Sequence, residues 1–143
     1  MTSTGGGTSG PGLSATLRLP TTVMRAGSRL AGRITITNDT GKPLHVSGCR
    51  GLFQVLLTSR TYHPLPLWLD CLQTFTIPTG RWSQRVQVDA AYNQCDQGRA
   101  TAGVPKCAPS GTPALPPGQY VARVFEQTTL LPRPASLTVL VTR

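Results

Sequence analysis

Residues 115–125, which read LPPGQYVARVF, constrain the fold of this chain more than any other stretch. A Pro-Pro-Gly turn sets the direction of the backbone, because proline presets φ and glycine accepts the positive φ of a type II turn. The run that follows is led by Tyr120 and continues with valine, alanine, arginine and phenylalanine, which suits the pleated, half-buried surface of a sheet. We therefore predict a tight turn that leads directly into a strand.

Short runs with a period of two recur along the rest of the chain. The strongest is residues 30–38, in which one face carries Leu30, Gly32, Ile34 and Ile36. Further strands are predicted at residues 15–19, 44–49, 52–58, 72–78, 85–91 and 135–142. Fifteen glycines and thirteen prolines favour short strands joined by turns over helices. The predicted fold class is all-β, a two-sheet antiparallel sandwich of about seven or eight strands.

The length of 143 residues fits one domain with a sizeable core. Residues 1–12 are rich in glycine, serine and threonine and are predicted to be a flexible tail or linker. Residues 13–143 then form the sandwich domain. Two segments in it do not fit regular strands: the proline-punctuated residues 59–70 and the long loop of residues 93–114.

The four cysteines are predicted to form two disulfides. No C-x-x-C spacing occurs among them, which argues against a zinc site. Three pairings are open, and we predict Cys49–Cys71 and Cys95–Cys107 because partners near in sequence close first. Each of these pairs also brackets one of the two irregular segments. Two disulfides imply an oxidising compartment.

The sequence contains no apolar run near the roughly 20 residues that a bilayer requires, and it lacks the charged and apolar regions of a signal peptide. Together with the cysteines, this predicts an extracytoplasmic protein. It would be secreted or membrane-anchored, with a signal or anchor absent from this sequence.

The formal net charge of +9 favours anionic partners, such as acidic cell-envelope polymers, lipid surfaces or nucleic acid. The arginines form no run, however, so we do not expect nucleic acid to be the partner. Arg18, Arg33, Arg85 and Arg123 fall on the polar sides of predicted strands. The simplest interpretation of these four residues is a solvated face.

No catalytic or cofactor motif stands out. His45 lies in an apolar run and His63 in the proline-rich segment, and no Gly-x-Ser-x-Gly motif is present. The five acidic residues share no spacing that predicts a carboxylate pair. We therefore expect no enzymatic activity, no metal and no cofactor.

Three aromatic residues are the candidates for contact with a partner, namely Tyr62, Trp68 and Trp82. Aromatic side chains on loops bring a large contact area at a low entropy cost. The competing interpretation for Trp68 is that it covers the open end of the core.

Several short motifs carry a family resemblance. They are residues 26–27 (AG) leading into 32–38 (GRITITN), then 43–46 (PLHV), 53–55 (FQV) and 117–120 (PGQY). In this order they resemble bacterial immunoglobulin-like modules, and distantly the sandwich of the intracellular proteinase inhibitor family. A glycine-rich start before a cysteine-bearing sandwich also resembles secreted or lipid-anchored proteins of actinobacteria. The resemblance implies that Tyr120 forms a tyrosine corner, whose hydroxyl bonds back to nearby backbone.

These observations lead to one functional hypothesis and two alternatives. The leading hypothesis is a non-catalytic, extracytoplasmic immunoglobulin-like module that binds a protein or an anionic component of the cell envelope through its loops. The first alternative is a protease-inhibitor-like domain that presents residues 59–70 or 93–114 to an enzyme. The second is a basic domain that binds nucleic acid or another polyanion.

Overall fold

A computed structural model of the protein describes residues 3–8, 12–71, 73–100 and 104–143. Predictions that fall on residues 1–2, 9–11, 72 and 101–103 lie outside the described residues. The described chain is all-β and contains no helix. Its ten strands are β1 (Ser3–Thr8), β2 (Leu13–Leu19), β3 (Val23–Arg25), β4 (Arg29–Asn38), β5 (Leu44–Gly48), β6 (Phe53–Thr58), β7 (Gln73–Ile77), β8 (Gly80–Asp89), β9 (Gly118–Glu126) and β10 (Leu137–Thr142).

The strands form three sheets. Sheet A has the strand order β1-β2-β4-β8, sheet B the order β3-β10-β9-β6, and sheet C pairs β5 with β7. All pairings are antiparallel except that of β3 with β10, which is parallel. The sequence predicted two antiparallel sheets, so the separate sheet C and the parallel pair β3–β10 are differences from that prediction.

One hydrophobic core takes side chains from all three sheets. The inward faces alternate as predicted, because burial on one side of a strand imposes a period of two. In β4, Ile34 and Ile36 are fully buried, and in β8 Val88 is as well. The face of β10 is completed by the buried Val139 and Val141.

Two strands, β1 and β3, were not predicted, and β8 begins five residues earlier than predicted. Ser3–Thr8, part of the predicted flexible tail, forms β1 and pairs along its whole length with β2. A sheet edge offers unpaired N–H and C=O groups to any extended backbone, so this pairing needs no hydrophobic pattern. The short strand β3 was not predicted either. Strand β8 begins at Gly80 rather than at residue 85, because the inward alternation already includes Trp82 and Gln84.

The turn before β9 forms a tyrosine corner, as the sequence predicted. The Tyr120 hydroxyl donates a hydrogen bond of 2.7 Å to the carbonyl oxygen of Pro116. The Tyr120 side chain is buried, and burial raises the pKa of its hydroxyl. This contact fixes the direction in which the chain enters β9, the strand that lies between β10 and β6 in sheet B.

Tyr120→Phe is expected to lower the free energy of unfolding by about 1–2 kcal/mol, since it removes a hydrogen bond from a buried side chain and little packing. Urea denaturation of the variant and the wild type measures the difference. Tyr92→Phe is the matched control, because the Tyr92 hydroxyl bonds to no described residue, and a change within about 0.5 kcal/mol is expected. Equal effects of the two substitutions would show that the corner hydrogen bond does not stabilise the domain.

Both disulfides pair as predicted. Cys49–Cys71 joins the residues that follow β5 and precede β7, with a Cα–Cα distance of 5.2 Å. Cys95–Cys107 closes the long loop, with a Cα–Cα distance of 4.8 Å. Beside it, Asp96 makes backbone hydrogen bonds with Pro105 and Cys107. Among the described residues no cysteine is free. Two disulfides indicate an oxidising, extracytoplasmic environment.

None of the elements in the described ranges is a helix long and apolar enough to cross a membrane.

Candidate functional site

The two irregular segments, residues 59–70 and 93–114, meet at the tyrosine corner. All three tyrosines of the chain line one cavity of about 290 Å³ there, together with Pro105 and Leu115. The rings of Tyr62 and Tyr92 are in edge contact, with centroids 4.9 Å apart and planes at 74°. Edge-to-face aromatic pairs contribute about 0.5–1.5 kcal/mol beyond the area they bury. The three tyrosines therefore bring both segments next to the start of β9.

Asn93 joins the two segments through polar contacts. Its backbone N–H donates to the Tyr62 hydroxyl at 2.9 Å, and its side-chain Oδ1 accepts from the same hydroxyl at 3.1 Å. Its Nδ2 donates to the carbonyl oxygen of Leu65 at 3.0 Å. Three contacts to one asparagine hold residues 59–70 against the start of the long loop.

Tyr62 is therefore a structural residue rather than an exposed contact. Its side chain is only 9% exposed, which differs from the expectation for a partner-binding aromatic. Burial raises the pKa of Tyr62, and the hydrogen bond with the Asn93 backbone offsets that effect only in part. The Tyr62 ring lines the cavity at the corner, and its hydroxyl forms hydrogen bonds with the N–H and the Oδ1 of Asn93. These contacts anchor the segment that carries Tyr62.

The leucine segment, residues 65–69 (LPLWL), is the most apolar exposed part of this region. The exposed fractions are 74% for Leu65, 57% for Leu67 and 55% for Leu69. The Gln54 side chain of the edge strand β6 donates a hydrogen bond of 2.6 Å to the carbonyl oxygen of Leu67. The Asn93 side chain donates a hydrogen bond to the carbonyl oxygen of Leu65. The three leucines alternate along the segment. Hydrogen bonds to two of its carbonyl oxygens hold its backbone, and the Cys49–Cys71 disulfide fixes the chain two residues after Leu69.

The two tryptophans lie on different elements. Trp68 is half-buried and lines, with Phe53 and Gln54, a cavity of about 210 Å³ between the leucine segment and β6. Trp82 lies within β8, opposite Ile36 of β4, and is half-buried against the core. Trp82 was predicted to be a loop aromatic that contacts a partner. It lies instead on the core side of sheet A, because it continues the inward alternation of β8.

Gln84 connects the edge strands β8 and β6. It faces inward from β8, where its Oε1 accepts from the N–H of Leu52 at 2.7 Å and its Nε2 donates to the carbonyl oxygen of Phe53 at 3.0 Å. A Cβ at Gly51 would approach the Gln84 Nε2 to 2.8 Å, so any larger residue there would displace the amide. Beyond this contact the two edges line a groove of about 310 Å³ that reaches Tyr62 and Asn93.

The histidines contact only neutral groups. His45 Nδ1 lies 3.1 Å from the Thr76 hydroxyl across the β5–β7 pair, and His63 Nε2 lies 3.1 Å from the Arg60 carbonyl oxygen. In the part of the chain that the structure describes, no three His, Cys, Asp or Glu side chains come together as metal ligands would.

No protein-family model matches this chain. No curated protein is significantly similar to it in sequence either.

The sequence predicted the irregular segment of the site but not the exposed leucines or the contacts that hold them in place. The prolines and aromatics of residues 59–70 marked an irregular excursion, whereas the alternation of Leu65, Leu67 and Leu69 within it was the signal of an exposed apolar row. Tyr92 and Asn93 carried no signal, because their partners lie about 30 residues away in sequence and are set by the tertiary fold.

Proposed function

We propose that this protein is an extracytoplasmic immunoglobulin-like domain of the cell envelope that binds a protein partner through the leucine segment. The observation that carries the proposal is the exposure of Leu65, Leu67 and Leu69 on a backbone held by hydrogen bonds and a disulfide. The two disulfides support the compartment.

The strand order supports the immunoglobulin-like part of the proposal. In immunoglobulin domains strands A, B and E share one sheet and strands C, F and G share the other. Here β2, β4 and β8 are neighbours in sheet A, and β6, β9 and β10 are neighbours in sheet B. Tyr120 lies at the start of β9, which occupies the position of strand F, where immunoglobulin domains carry their tyrosine corner.

A rigid apolar row favours a protein partner. Clustered exposed apolar side chains mark interaction surfaces more often than scattered ones do. A backbone that is already ordered loses little entropy on binding, so more of the apolar contact contributes to affinity. Arg50, exposed and beside Leu67 and Leu69, supplies a cationic rim and suits a partner with an apolar pocket bordered by acids.

The double variant Leu67→Ser and Leu69→Ser is expected to weaken partner binding about tenfold or more, since buried apolar anchors carry most of the energy of an interface. Cross-linking pull-down from a matched cell-envelope extract identifies the partner, and surface plasmon resonance then measures its affinity. Both leucines are exposed, so the free energy of unfolding is expected to stay within about 0.5 kcal/mol of the wild type.

The matched control is Leu130→Ser with Leu140→Ser, two leucines that are 58% and 47% exposed elsewhere on the surface. This control is expected to bind like the wild type. Equal binding by both double variants, or equal loss in both, would overturn the role of the leucine segment.

The extended, disulfide-tied leucine segment also favours a second candidate function, the inhibition of a protease. An extended chain with outward side chains is the form that a protease cleft accepts, and a fixed backbone resists displacement. A panel of serine, cysteine and metalloproteases tests this function. Inhibition that is lost in Leu67→Ser would support it, and cleavage of the segment or no inhibition would reject it.

A further inference from the structure

The outer face of sheet A carries a row of three arginines. Arg33 of β4 lies directly opposite Arg18 of β2 on one side and directly opposite Arg85 of β8 on the other. All three side chains are exposed. Because neighbouring strands lie about 4.8 Å apart, the three Cα positions span about 10 Å across the sheet.

This arrangement is unfavourable in the protein alone. Like charges placed directly opposite each other on neighbouring strands destabilise a sheet, and the row contains two such pairs. Of the five acidic residues in the sequence, only Asp89 lies in a strand of sheet A. Its carboxylate already contacts Arg29 at 3.5 Å and accepts from Gln87 at 2.9 Å. No ion pair involves the row anywhere in the described ranges.

A shallow depression lies beside the row. Its volume is about 320 Å³, and its lining consists of the three arginines with Pro20, Ala31 and Gly32. Ala31 is exposed on the same face as Arg33, and its short side chain leaves space that a larger residue would fill. Three guanidinium groups thus border one open space.

We propose that this row, the Arg18–Arg33–Arg85 row, binds a compact phosphate group that carries several negative charges, such as a pyrophosphate or phosphomonoester moiety. Guanidinium groups match phosphate oxygens in bidentate geometry and are less strongly hydrated than ammonium groups. A compact polyvalent anion neutralises three adjacent cations at once, which offsets the repulsion within the row. The site lies on sheet A and does not depend on the leucine segment beside sheet B.

Titration of the protein with inorganic pyrophosphate by calorimetry tests the proposal. Arg33→Gln removes the central cation, which belongs to both opposed pairs, and is expected to weaken binding about tenfold or more. The same substitution is expected to raise the unfolding temperature of the ligand-free protein at low salt, because it removes both repulsive pairs. At the same pyrophosphate concentration, the unfolding temperature is then expected to rise more for the wild type than for the variant.

Arg123→Gln is the control of equal charge change, since Arg123 is exposed on β9 of sheet B and stacks over Phe125. It is expected to change the pyrophosphate affinity by less than about twofold. Equal losses in the two variants would mean diffuse attraction by the net charge and would overturn the site. Binding to phosphatidylglycerol vesicles without binding to pyrophosphate would also overturn it, in favour of a lipid surface.

Discussion

Replacing both Cys49 and Cys71 with alanine is expected to lower the free energy of unfolding by about 3 kcal/mol. The crosslink closes a loop with a sequence separation of 22, so its loss increases the chain entropy of the unfolded state. The described part of this loop also includes the leucine segment, whose backbone lacks a strand ladder and depends on the bonds from Gln54 and Asn93. The double variant is therefore expected to lose local order there first.

Urea denaturation of oxidised wild type and double variant measures the difference. The companion variant lacks Cys95 and Cys107, which close a loop with the shorter separation of 12, and a slightly smaller loss is expected. Reduction of the wild type should reproduce the combined loss. A change below about 1 kcal/mol for the first pair would mean that the unfolded chain is already constrained in this region.

Gln84→Leu is expected to destabilise the domain by about 2–4 kcal/mol, although leucine is similar in size and more apolar. The substitution leaves the N–H of Leu52 and the carbonyl of Phe53 without partners. Both residues are buried, at 0% and 3% exposure, and each unsatisfied buried polar group costs about 1–3 kcal/mol.

Gln87→Leu is the matched control for this substitution on the same strand. Gln87 points to solvent and bonds only the exposed Asp89, so its replacement is expected to change stability by less than about 0.5 kcal/mol. Gln84→Glu keeps the acceptor for Leu52 but removes the donor to Phe53, and an intermediate loss is expected. If Gln84→Leu unfolded at the same urea concentration as Gln87→Leu, the amide would not connect the two edges.

The parts of the structure that were predicted correctly depend on neighbours in sequence. The inward face of β4 followed from alternation within one strand, because every second residue of a strand points to the same side. The Tyr120–Pro116 hydrogen bond joins residues four apart in sequence. Each disulfide joins two cysteines that follow one another in the sequence, with no other cysteine between them.

The parts that were missed depend on partners far away in sequence. The alternation of Trp82 with Gln84 was missed, because the strand was predicted to begin at residue 85 and in the structure begins at Gly80. Tyr62 was interpreted as exposed because its segment is irregular, but its burial depends on Tyr92 and Asn93, 30 and 31 residues further along. The pairing of β1 with β2 uses backbone groups alone and leaves no hydrophobic pattern to read.

The sequence by itself determined most of the strands and which of their faces are buried, and it favoured the cysteine pairing that the structure shows. Each of these depends on short-range periodicity or on the entropy of closing a short loop. Only the tertiary structure decided the registers between strands. Arg18, Arg33 and Arg85 were each interpreted correctly as residues on polar faces, but nothing local shows that they form one row. A shift of β2 or β8 by two residues would preserve every inward face and still separate these charges, because register is a property of strand pairs.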